Sequence, residues 1–234
     1  MYPGFTPFNP GYMAAWRNAP EVDEIHDAMG VGFFHASKRF NRYPAMTATA
    51  REIYQRHRLT VRDYQRMGEA GIFHEDDRVE LIEGEIVDMA PIGAGHASSV
   101  KRLANIMKLA VGELAIVSVQ DPIVLGEQSA PQPDIALLRP QADYYAAAHP
   151  QARDVLLIVE VADSSLDYDR DVKLPLYARH GIPEVWLVDV TSRQLTIHRH
   201  PTAAGYRESF IPASLTTLSL PMLPEVTVNL GMLF

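Results

Sequence analysis

The stretch Val155-Leu156-Leu157-Ile158-Val159-Glu160-Val161-Ala162 is apolar at seven of its eight positions, the exception being Glu160. Apolar residues occupy both alternating sets, which predicts a strand buried on both faces rather than one with a wet side. An ionised carboxylate in such a strand is costly, so Glu160 must be paired, protonated or bound to a cation. Side chains alternate along a strand, so Glu160 and Ala162 point to one face and Val159 and Val161 to the other.

A second carboxylate stands in a similar place. Asp134 follows Pro133 and leads into Ile135-Ala136-Leu137-Leu138, at the entrance of another short apolar run. Two strand-borne carboxylates are hard oxygen donors, the chemistry that suits magnesium or manganese. Such an ion orients a phosphate, lowers the pKa of a bound water and neutralises developing charge. Read singly, Asp134 is more simply a turn residue, while for Glu160 a buried pair with Arg170 or Lys173 is the lesser alternative to a metal.

Taken together, Pro133-Asp134, a spacer and Glu160-Val161-Ala162 resemble the PD-(D/E)XK nuclease superfamily, whose pattern ends in acid, any residue, lysine. Ala162 occupies the lysine's seat. Three further segments resemble the Uma-two family of restriction endonuclease-like proteins: Leu59-Thr60-Val61-Arg62-Asp63-Tyr64, the run from Arg78 to Pro91, and Leu176-Tyr177-Ala178 through Gly181-Ile182-Pro183-Glu184-Val185-Trp186. The resemblance covers most of residues 59 to 228. In that family the lysine has moved onto the following helix, here Asp169-Arg170-Asp171-Val172-Lys173.

The resemblance implies an α/β fold, restriction-endonuclease-like, with a mixed central β-sheet flanked by helices. It also implies a metal-dependent endonuclease that hydrolyses phosphodiester bonds of nucleic acid, DNA in particular, and works as a homodimer. Asp134, Glu160 and Lys173 would be catalytic, and Asp134, Glu160 and Glu80 would hold Mg2+ (or Mn2+). Lys173 would stabilise the phosphate charge or hold the attacking water. Pro175 fits most easily in a first turn, so the helix is expected to begin close to Lys173. For Glu80 a surface cross-strand pair is an equal alternative. His96 stands where the family has a histidine and could position substrate or carry a proton, although a helix-capping or loop role is the simpler reading.

Length and composition, 234 residues with 47% hydrophobic, match one catalytic domain plus an extension, and no apolar stretch is long enough to span a bilayer. Cysteine is absent, which excludes disulfides, thiolate metal sites and a cysteine nucleophile. The start Met1-Tyr2-Pro3-Gly4-Phe5 lacks the basic head and apolar core of a secretory signal, so a cytoplasmic location is expected. A net charge of −8 argues against broad adhesion to nucleic acid, for which clustered lysine and arginine supply the affinity. Lys101, Arg102, Lys108, Arg170 and Arg179 could form a local basic groove, but solvated helix faces are the simpler account. The empty seat at Ala162 and the acidic balance motivate two alternatives: an interaction module that kept the fold and lost cleavage, and a metal-dependent hydrolase of another substrate.

Residues 1–58 are expected to be a poorly ordered or loosely docked extension, and 59–234 the nuclease-like domain. Thr60 and Asp63 predict a capped helix start with Leu59 stapled to Tyr64. Val79 to Met89 reads as a hairpin turning at Glu83-Gly84. Val100, Leu103, Met107, Val111 and Leu114 recur at helical spacing. Strands are expected at 116–125, 135–138, 155–162, 185–190, 195–198 and 206–210, and the tail keeps enough leucine and valine to pack. Asp143, Asp163 and Asp189 look structural.

Overall fold

In a computed structural model, which describes residues 56–74 and 76–234, the apolar stretch forms an eight-residue strand, β5 (Val155–Ala162), with every residue buried. The expected extension over residues 1–58 lies, as far as residue 55, outside the described residues. Preceding β5 are α1 (Val61–Glu69), β1 (Val79–Ile82), β2 (Glu85–Asp88), α2 (Ala94–Val111), β3 (Ile116–Ser118) and β4 (Ile135–Leu138). After it come α3 (Leu166–Tyr168), a π-helical segment (Asp169–Lys173), α4 (Leu174–Arg179) and β6 (Glu184–Asp189). The chain ends with β7 (Gln194–Thr202), β8 (Gly205–Phe210), β9 (Leu218–Leu220) and β10 (Leu223–Val228).

Among the described residues the largest sheet has six strands in the order β3-β4-β5-β6-β7-β8. Only β5 and β6 in it run parallel; the other neighbours are antiparallel. The sheet is therefore mixed, as expected. A parallel pair needs a crossover long enough to return the chain, and the helical run from Leu166 to Arg179 supplies it. One face of the sheet packs Leu157, Val159, Val161 and Trp186 against Leu103, Met107 and Val111 of α2 and against the tail residues Leu218, Val226 and Leu230. The other packs Ala136, Leu138, Ile158 and Val185 against Leu176 and Tyr177 of α4. Glu160 shares the parity of Ile158, and Asp134 that of Ala136, so both carboxylates belong to the α4 face.

Local chemistry explains the flanking elements. Thr60 and Asp63 form a reciprocal capping box at the start of α1. Glu83 (φ 49°) and Gly84 (φ 78°) are both left-handed at the tip of the β1–β2 hairpin, as a type I′ turn demands. A Cβ at Gly84 would also meet the Cβ of Arg58 at 2.7 Å.

Three expectations need correction. The strand expected over 116–125 ends at Ser118, because Gln120 turns left-handed (φ 57°) and Pro122 has no N–H to offer a ladder. Leu114 lies beyond α2, which stops at Gly112, and it is 44% exposed rather than packed. The helix carrying Lys173 begins at Leu166, about two turns earlier than Pro175 suggested. Pro175 cannot donate to the carbonyl of Asp171, and the wider turn, in which Leu174 N–H donates to Asp169 O, accommodates it.

Candidate active site

Register brings the two strand carboxylates together. β4 and β5 pair Ile135 with Val159, and continuing that register one step sets Asp134 opposite Glu160. Asp134 N–H points at Glu160 Oε2 (3.4 Å), and Val161 N–H donates to Asp134 Oδ2 (2.9 Å). The remaining oxygen of Asp134 meets His96 Nε2 at 2.9 Å and the Gln120 side-chain amide at 3.0 Å. The left-handed turn at Gln120 that ends β3 thus also delivers its side chain to Asp134.

The helical run after β5 supplies the cation. Lys173 is buried, with Nζ 3.4 Å from Oε1 of Glu160 and 3.4 Å from Oε2 of Glu80. The π-helical segment buries Asp169 and Lys173 and leaves Arg170 outside, paired with Asp167 and Asp171. One turn on, Tyr177 O–H donates to Glu160 Oε1 at 2.5 Å. Glu80 comes from β1 and accepts from the backbone N–H of Gln132 at 3.1 Å. It is buried inside the site, so a surface cross-strand pair is ruled out.

Electrostatics follow from this crowding. Glu80, Asp134, Glu160 and Asp169 are four buried carboxylates in a lining whose basic side chains are Lys173, His96 and Arg78. Burial pushes Glu160 up to about 8, against the pull of Lys173. Burial likewise raises Asp169. Asp134 resists the same burial and stays below the usual carboxylate range, because His96, Val161 N–H and Gln120 all favour its charge. His96 is raised by its hydrogen bond to Asp134. Burial alone would lower Lys173, but Glu160, Glu80, Asp169 and Asp134 outweigh it and hold the ammonium protonated.

These residues line a cavity of about 290 Å³, whose outer wall runs from Val87 through Gly93 and whose far side carries Asp163 and Ser165. Among the described residues no three His, Asp or Glu side chains are arranged to cage an ion by themselves. Magnesium does not require a cage; it keeps several waters and takes one or two carboxylates plus a phosphate. Asp134 and Glu160 fit that role. Glu160 Oε1 is engaged by Tyr177 and Lys173, while Oε2 has only the long contact to Asp134 N–H. Burial first, and the charges of Asp169 and Asp134 after it, disfavour the ionised form of Glu160, and a bound divalent cation would favour it.

All four residues singled out in the sequence, Glu80, Asp134, Glu160 and Lys173, line this one cavity. His96 joins them as the partner of Asp134, in the first turn of α2, rather than as a capping or loop residue. Asp169, Tyr177, Gln120 and Gln132 escaped sequence reading; only the i, i+4 spacing of Asp169, Lys173 and Tyr177 on one helix could have flagged two of them. Asp163 also lines the cavity, whereas Asp143 and Asp189 accept from nearby backbone N–H groups. None of Lys101, Arg102, Lys108, Arg170 and Arg179 lines this cavity; Arg102 donates to the Met232 carbonyl and Arg179 pairs with Glu83.

The model of the Uma2 family, described as "Putative restriction endonuclease", matches residues 61–231. The fold is similar to that of a crystal structure from Anabaena variabilis ATCC 29413, described as "a putative nuclease belonging to DUF820". The TM-score is 0.56 and the identity 14%, over 75% of this chain and 97% of that one, a likeness of fold alone. No curated protein matches. With the family match reaching from the capped start of α1 to the tail, this chain belongs to the Uma2 family and has a restriction-endonuclease-like fold.

Proposed function

We propose that the protein is a metal-dependent endonuclease that hydrolyses phosphodiester bonds of nucleic acid at the Asp134, Glu160 and Lys173 site. The observation that carries this is the meeting of two strand carboxylates and a permanently charged lysine at the base of one cavity. Asp134 and Glu160, with Glu80 beside them, would hold Mg2+ or Mn2+, which when bound supplies Lewis acidity and a water of lowered pKa. Tyr177 fixes Glu160 by occupying Oε1, and His96 fixes Asp134 by occupying Oδ1. Lys173, whose ammonium the surrounding carboxylates favour, would stabilise the phosphate charge as water adds to phosphorus and the bond to the leaving oxygen breaks. One product ends in a phosphate monoester and the other in a hydroxyl. The family resemblance extends the reading to DNA and to a homodimer, and the sequence to a cytoplasmic location. Among the described residues no helix is long and apolar enough to cross a membrane.

Supercoiled plasmid incubated with purified protein in magnesium or manganese, with Glu160→Gln prepared in parallel, tests this. Nicking by the parent and none by the variant is expected; equal activity in both, or none in either, would contradict it. A non-catalytic interaction module is favoured by one observation, the ammonium of Lys173 already engaged by both Glu80 and Glu160. That reading predicts no divalent-ion affinity.

A further inference from the structure

We infer that the substrate is an unpaired strand, a single-stranded or locally melted stretch of nucleic acid, rather than an intact duplex. The inference rests on the nuclease reading and narrows it. The reacting groups lie deep: Glu80, Glu160 and Lys173 are 1, 3 and 5% exposed, and Asp134 is 8%. The way in, among the described residues, is a cavity of about 290 Å³. That is the scale of a pocket for one small ligand (about 300 Å³ upward). A base-paired helix does not fit into a space of this size, and a nucleotide enters such a pocket by leaving its stack, at an unpairing cost that a single strand does not bear.

The rim matches a strand and not a duplex. Met89, Pro91 and Ile92 offer an apolar wall against which a base face can lie, and Ile92 is 42% exposed. Beside them stand the exposed carboxylates of Asp88 and Asp163. A double helix carries a phosphate charge about every 1.7 Å of its axis and would press several of them against these acids. Against these acids the lining sets one arginine, Arg78, whose guanidinium already donates to the Ala90 carbonyl, while Arg58, Arg179 and Arg170 pair with Glu85, with Glu83, and with Asp167 and Asp171. A single flexible strand can thread one phosphate to Lys173 and keep its neighbours away from the rim.

One oligonucleotide sequence presented in manganese as a single strand, as a fully paired duplex and as a duplex with a central mismatched bubble tests the inference, with Glu160→Gln as blank. The single strand and the bubble are expected to be cut about tenfold or more faster than the paired duplex, the scale set by the unpairing cost. A paired duplex cut as fast as the single strand overturns this inference and leaves the nuclease reading standing. No cleavage of any of the three overturns both.

Discussion

The ammonium of Lys173 stands 3.4 Å from the carboxylate of Glu160, across the turn that joins β5 to its helical run, and both groups are buried. The lysine that Ala162 does not supply is thus delivered to the same carboxylate from the next element. Breaking a buried pair by removing one partner leaves an uncompensated charge, at a cost of roughly 3–5 kcal/mol. Lys173→Met should lower stability on that scale in denaturant titrations. A variant as stable as the parent at neutral pH would show that the pair contributes nothing.

Glu160 also sets a pH dependence. Its ordinary value of 4.5 is raised by burial to about 8. Between those values the native protein holds a proton that the unfolded chain has released, so stability falls as pH rises through that window. Asp169, also raised by burial, and His96, raised by its bond to Asp134, act in the same direction. Asp134, lowered from 3.8, loses its contribution only as pH falls below that value, outside the window. In metal-free buffer, unfolding free energy should drop as pH rises from 4.5 to about 8, and Glu160→Gln should flatten the slope. Parallel slopes would mean that Glu160 does not carry the proton.

The bond between His96 and Asp134 predicts a titration. Asp134→Asn keeps the shape and removes the charge, so the His96 ring, observed by NMR, should titrate at lower pH than in the parent. An unshifted His96 would contradict the pairing.

Tyr177→Phe keeps the ring in the core and deletes the hydroxyl that donates to Glu160. Leaving that buried oxygen short of a donor should cost about 1–3 kcal/mol. Manganese affinity, read by electron paramagnetic resonance, should weaken because Glu160 is free to turn. Unchanged affinity would make the contact structural only.

Much of the architecture was legible because it is written locally. The apolar run around Glu160, the paired Thr60 and Asp63, and the Glu83-Gly84 turn each specify a conformation through neighbouring residues. The extent of β3 was misjudged because its apolar residues, Ile123 and Leu125 among them, are buried without being laddered. The site was half legible. Asp134, Glu160 and Lys173 stood out by type and family pattern, but that Glu80 reaches Lys173, or that His96 meets Asp134, depends on sheet order and crossover. No periodicity encodes contacts between residues 93 and 38 positions apart in the chain. The π-helical segment was hidden for a related reason: Pro175 signals a missing donor, and only the packed helix shows how the turn widens around it.

On this reading Asp134 and Glu160 together would hold a divalent cation. Calorimetric titration of manganese into metal-free protein tests it most directly, run alongside Asp134→Asn and Glu160→Gln. Saturable binding by the parent that is lost or strongly weakened in both variants is the predicted result. Absence of binding to the parent, or binding that survives both substitutions, would contradict the account.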